Sequence, residues 1–140
     1  MINIAINGKK NTINKELISQ AVNETLGELT KVGEFKKEVV VDFSVALVTE
    51  KEIEKINKQY RQQDKPTDVL SFCYEYTEKK LEGEIVLCPK IIKKNAQEDG
   101  VSFEEEFMKN VVHGTLHIVG YEHGKEMFDW QNKILKKIIK

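Results

Sequence analysis

His113, His117 and His123 are the three histidines of this 140-residue chain. They fall inside one window, His113-Gly114-Thr115-Leu116-His117-Ile118-Val119-Gly120-Tyr121-Glu122-His123, spaced as H-x-x-x-H-x-x-G-x-x-H. That spacing suits a mononuclear metal site. Residues i and i+4 sit one above the other on a helix, so the imidazoles of His113 and His117 can reach the same ion. Gly120 is free to take a positive φ that stops the helix and swings the chain round, letting His123 supply a third corner. Three imidazole nitrogens at about 2.0 to 2.1 Å leave the fourth position of a zinc ion to water or substrate, the open arrangement of catalytic sites. Three histidines scattered at random would show these gaps about once in 3,000 arrangements, so coincidence does not account for the pattern.

The same spacing occurs in metzincin-like proteases, but their motif is H-E-x-x-H, with a glutamate after the first histidine as general base. Here that position is Gly114, which cannot move a proton, and peptide hydrolysis is disfavoured. Glu122, beside the third histidine, and Asp68 are the candidates for proton transfer. A different class of reading is a noncatalytic factor in which zinc only organises the surface. It would need a fourth protein ligand, from Cys73 or Cys88. Those cysteines form no C-x-x-C pair and each ends an apolar run, which predicts buried free thiols.

Several elements must position the histidines. Ile2, Ile4 and Ile6 alternate with polar residues as in a strand, and Val39, Val41, Phe43, Val45 and Leu47 repeat the period. Between them Leu17, Ile18, Ala21, Val22, Leu26 and Leu29 recur at helical spacing. Thr49 with Glu52 makes a capping box for a helix carrying Ile53, Ile56 and Tyr60, followed by a polar loop from Arg61 to Asp68 in which Pro66 rules out continued helix. Strands over 69–76 and 81–87 flank a polar turn. Pro89 opens a helix ending at Gly100, and Ser102 with Glu105 predicts a second capping box for the helix of the histidines. A last helix has Phe128, Ile134, Leu135 and Ile138 at helical spacing. The pattern gives one α/β or α+β domain spanning residues 1–140.

Turning 100° per residue from Phe103 to Val119 puts Phe103, Phe107, Met108, Val111, Val112 and Val119 on one apolar side. Glu106, Asn110, His113 and His117 form a polar strip opposite. Gly114 costs about 1 kcal/mol relative to alanine inside a helix, which implies close packing against it.

Formal net charge is −1, from 22 basic and 23 acidic residues. A nucleic-acid contact must then rest on a local patch, which counts against a nonspecific coat protein. Lys58, Arg61 and Lys65 form one short basic cluster, with Tyr60 beside them for stacking on a base. The N-terminal alternation lacks the apolar core of a signal peptide, and apolar runs such as Val45 to Val48 are far short of the roughly 20 residues of a membrane span. The expected location is cytoplasmic, with no membrane partner.

The histidine block, together with Tyr60-Arg61-Gln62-Gln63-Asp64-Lys65-Pro66-Thr67-Asp68-Val69-Leu70-Ser71-Phe72 and Gly83-Glu84-Ile85-Val86-Leu87-Cys88, resembles the YbeY family of bacterial endoribonucleases and rRNA maturation factors. The resemblance runs over residues 50 to 139; the first 45 residues match in pattern only. It implies a small mixed sheet of about four strands flanked by helices. It also implies a metal-dependent, single-strand-specific ribonuclease of 16S rRNA maturation and ribosome quality control. The partners would be rRNA precursor and the small ribosomal subunit, with no DNA. His113, His117 and His123 carry over as zinc ligands and Arg61 as the arginine of the family's Y-R motif. Glu122 stands where the family has aspartate and Cys73 where it has proline, and the loop after His123 is shorter. The chemistry is coherent. Zinc polarises a phosphate oxygen and lowers the pKa of its water to about 7. Arg61 could hold a nonbridging oxygen through two hydrogen bonds.

Overall fold

Alternating branched residues build β1 (Ile2–Asn7) and β2 (Val40–Leu47), which pair in parallel with Ile4 opposite Phe43. Parallel neighbours need a long crossover, and α1 (Thr12–Lys31) supplies it. Then follow α2 (Glu50–Arg61), the antiparallel hairpin of β3 (Val69–Tyr76) and β4 (Lys80–Leu87), α3 (Pro89–Asp99), α4 (Phe103–Ile118) and α5 (Lys125–Ile138). This computed structural model describes residues 1–8 and 12–139, the side chains of 12–14 excepted. Among them one four-stranded sheet has the order β1-β2-β4-β3, with β3 alone antiparallel. The mixed α+β architecture is the one expected.

The two faces of the sheet are covered unequally. Val41, Phe43 and Val45 of β2 and Leu81, Ile85 and Leu87 of β4 join one large core with Ile18, Leu26 and Leu29 of α1 and Phe107, Val111 and Leu116 of α4. On the other face a smaller cluster holds Ile53, Leu70, Val86 and Cys88 under α2. α4 lies hard against β4. A Cβ at Gly114 would stand 3.3 Å from Ile85 Cγ2, and one at Gly83 would stand 2.9 Å from Ile118 Cγ2. The close packing implied by Gly114 is thus contact with a strand.

Helix ends follow the local signals with one difference. Thr49 and Glu52 form the full capping box, and α3 starts at Pro89 and stops at Gly100 with φ 69°. Ser102 accepts the Glu105 N–H at 3.1 Å, but no reciprocal bond from the Ser102 backbone forms among the described residues. Glu104, Glu105 and Glu106 instead place their charge in the first turn of α4, where the helix dipole favours it.

Glu106 and Asn110 of the polar strip are both buried, because α5 packs along α4. Two expectations need correction. Cys88 is buried but Cys73 is exposed, lying on edge strand β3 where a bulge between Cys73 and Glu75 breaks the register. Phe128 is exposed, while the covered positions of α5 are Met127, Gln131 and Ile134. No described helix is long and apolar enough to cross a membrane.

Candidate metal centre

α4 carries His113 and His117 in its last two turns, and its end explains how the third histidine arrives. The Gly120 N–H donates to the His117 carbonyl at 3.0 Å and the Tyr121 N–H to the Leu116 carbonyl at 3.0 Å. With Gly120 at φ 108° this is a Schellman stop, which a β-carbon would strain. The reversal aims the Tyr121 carbonyl back at His117 and delivers His123 beside the other two rings. Ring centroids lie 4.5 to 5.0 Å apart.

The nitrogen geometry is that of a chelate. Nε2 of His117 lies 3.1 Å from Nε2 of His113 and 3.4 Å from Nε2 of His123. Four ligands at about 2.0 to 2.1 Å around a tetrahedral ion are separated by about 3.3 Å. The outer nitrogens fix the tautomers. His113 Nδ1 donates to Gln131 Oε1 at 3.0 Å and His117 Nδ1 to the Tyr121 carbonyl at 2.9 Å; both oxygens can only accept. Each of these Nε2 atoms therefore presents a lone pair, and two lone pairs 3.1 Å apart repel unless a cation lies between them. The donor set fits a divalent metal.

Electrostatics point the same way. Burial lowers the pKa of His117 to about 4, assisted by His113, His123 and the charge of Arg61. Burial also lowers that of His113, against the opposing hydrogen bond to Gln131. Both rings are thereby kept neutral, the form in which imidazole ligates.

A cleft of about 420 Å³ opens over His113 and His123, walled by Asp68, Lys109, Asn110, Phe128, Gln131 and Asn132, among others. Asp68 accepts from Asn95 Nδ2 at 3.4 Å and from Thr67 Oγ1 at 3.3 Å, and it favours the charged form of His113. Glu122, next to His123 in sequence, lines a different groove with Glu34 and Glu126. Arg61 is exposed at the end of α2, and its charge is felt at His117. The loop after it is pinned by buried Asn57, whose Nδ2 donates to the Lys65 carbonyl at 2.9 Å. Lys58 pairs with Asp64 at 3.8 Å, and Tyr60 is exposed with its ring edge on Phe72, centroids 5.4 Å apart. None of Lys58, Tyr60, Arg61 or Lys65 lines the cleft itself.

Neither cysteine joins the histidines. Among the described residues, the only group of three or more ligand-type side chains converging within 4.8 Å is His113, His117 and His123. No sulfur closes the fourth position, so the arrangement has the open form. Gln131 escaped sequence reasoning because it is 18 residues from the ring it holds. Its signal was available as a polar residue on the buried stripe Met127, Gln131, Ile134 of an amphipathic helix.

Fold and site together define a class: an α+β protein in which a helix lying on a mixed sheet and the turn after it bring three imidazoles together beside an open cleft. Comparison with known proteins narrows it. Residues 3–139 match the family model described as Endoribonuclease YbeY. The chain is 39% identical over 130 residues to Endoribonuclease YbeY of Thermotoga maritima, spanning 89% of this chain and 77% of that one. It is 41% identical over 115 residues to that of Staphylococcus carnosus, spanning 73% and 75%. A Thermotoga maritima protein solved in solution shares the fold with a TM-score of 0.64 at 34% identity, over 99% of this chain and 89% of that one. The chain belongs to the YbeY family.

Proposed function

We propose that this chain, as one domain over residues 1–140, is a zinc-dependent endoribonuclease specific for single-stranded RNA. Its substrate is rRNA precursor, and it acts in the cytoplasm, with the small ribosomal subunit, in 16S maturation and ribosome quality control. Membership of a family whose characterised members are named endoribonucleases supports the reaction class. The observation that carries the metal dependence is the convergence of three Nε2 atoms, two with their tautomers fixed from outside.

His113, His117 and His123 would hold the zinc, which when bound would supply Lewis-acid polarisation of a phosphate oxygen. Gln131 and the Tyr121 carbonyl hold two of the imidazoles in register. Arg61 grips a nonbridging phosphate oxygen and stabilises the charge that grows there in the transition state. Lys58 and Lys65 attract the neighbouring backbone, and Tyr60 stacks on a base. Asp68, on the cleft wall with Asn95 and Thr67 orienting it, takes the proton of the attacking oxygen. Glu122 lines another groove, which supports Asp68 over Glu122 for the proton-transfer role.

The test is to load purified protein with zinc, quantify the metal, and offer single-stranded RNA, an RNA duplex and an unfolded polypeptide. Cleavage of the first alone is expected. His117→Ala should lose both metal and cleavage, whereas Arg61→Ala should retain metal and fold while kcat falls about 100-fold or more. Single-stranded RNA that stays intact with fully loaded protein would overturn the reading.

A further inference from the structure

One wall of the cleft has no part in the chemistry above. Gly124, Phe128 and Asn132, four residues apart, share one side of α5 and its approach, and all line the cleft together with His113 and His123. Phe128 is 61% exposed there. The other five phenylalanines are covered: Phe35, Phe43 and Phe107 are buried and Phe72 and Phe103 half-buried. Packing does not require a ring at Phe128, since α5 is anchored by Met127, Gln131 and Ile134. Asn132 is exposed one turn further along, with an amide that both donates and accepts. Lys109, on α4, also lines the cleft, its ammonium 3.3 Å from buried Glu106.

A bare aromatic face, an amide one helical turn away and an ammonium on the neighbouring helix form the set that recognises an unpaired nucleotide: base on the ring, base edge at the amide, phosphate at the ammonium. We propose that Phe128, Asn132 and Lys109 form a subsite for one unpaired nucleotide flanking the bond to be cut, an inference that rests on the endoribonuclease reading. A base inside a duplex has both faces covered by its neighbours and cannot use the ring. The subsite thus gives a physical origin for selection of single strands.

The test compares wild type with Phe128→Ala, Phe128→Leu and Phe128→Trp. It measures steady-state cleavage of a single-stranded oligoribonucleotide and, separately, anisotropy binding of a labelled 2′-O-methyl oligonucleotide that cannot use its own 2′-oxygen. Phe128→Ala should raise KM and Kd about tenfold, Phe128→Leu should do the same, and Phe128→Trp should restore wild-type values. An abasic nucleotide at the stacked position should abolish the difference between wild type and Phe128→Ala. Circular dichroism and metal content should not change, because the ring is exposed. Equal Kd for wild type, alanine and leucine variants on RNA that is cleaved would remove the subsite and leave the activity standing. Phe128-dependent binding without cleavage would remove the activity and leave the subsite; neither binding nor cleavage would remove both.

Discussion

Gln131 holds the imidazole of His113 by a single hydrogen bond from a buried position, and that bond decides which ring nitrogen is free to ligate. Gln131→Ala is expected to weaken zinc affinity about 10- to 100-fold, measured by competition with a chromogenic chelator, while far-UV circular dichroism stays native. Gln131→Glu keeps an acceptor oxygen and should retain most of the affinity. At this scale the sequence was legible where partners are neighbours along the chain. The histidine triad and the Gly120 stop are local, set by helical periodicity and one positive φ, and could be read directly. Gln131 could not, because its role exists only once α5 docks on α4. Adjacency does not fix placement: Glu122 is next to His123 in sequence but lines a separate groove, while distant Asp68 lines the cleft.

The junction of α4 with β4 sets the height of the histidine cluster above the sheet, and two glycines make it possible. A methyl group at Gly83 would meet Ile118 Cγ2 at 2.9 Å and the Phe72 carbonyl at 3.0 Å. Gly83→Ala should therefore cost about 1 to 3 kcal/mol in urea unfolding, and it should lower zinc affinity too, because Ile118 directly follows a ligand. Gly27 offers the opposite case, exposed inside α1 with nothing within 4 Å of an added Cβ. Gly27→Ala should stabilise the protein by about 0.5 to 1 kcal/mol without changing metal binding. Strand and helix periods, Thr49, Pro89 and Gly100 were readable at this level because each acts through its own backbone. The burial of Glu106 and Asn110 and the exposure of Cys73 and Phe128 were not, since these depend on which neighbour covers which face.

Across the whole molecule the first and last helices are clasped by charge. Buried Glu28 of α1 accepts from Lys137 of α5 at 2.8 Å and from Lys31 at 2.8 Å. Those hydrogen bonds, Lys137 first, lower the Glu28 pKa from 4.5 to about 2 against the opposing effect of burial. The folded chain keeps the carboxylate where the unfolded chain takes up a proton, so this contribution is complete above pH 4.5 and is lost as pH falls toward 2. Glu28→Gln should destabilise by about 1 kcal/mol at pH 7, with the gap to wild type closing in urea titrations at pH 4 and pH 3. With a net charge of −1, the salt response of RNA binding is set by the local phosphate contacts. With Lys58, Arg61, Lys65 and Lys109 each meeting a phosphate, log Kobs for single-stranded RNA should fall against log salt with a slope of about −3. The arrangement of the ligands has one more effect. All three belong to a single short stretch, whereas the strands beneath them pair across some 40 residues of chain. The denatured polypeptide thus keeps a ready-made chelating segment. Added zinc should raise the melting temperature by less than the native dissociation constant alone would dictate, because the unfolded ensemble competes for the same ion.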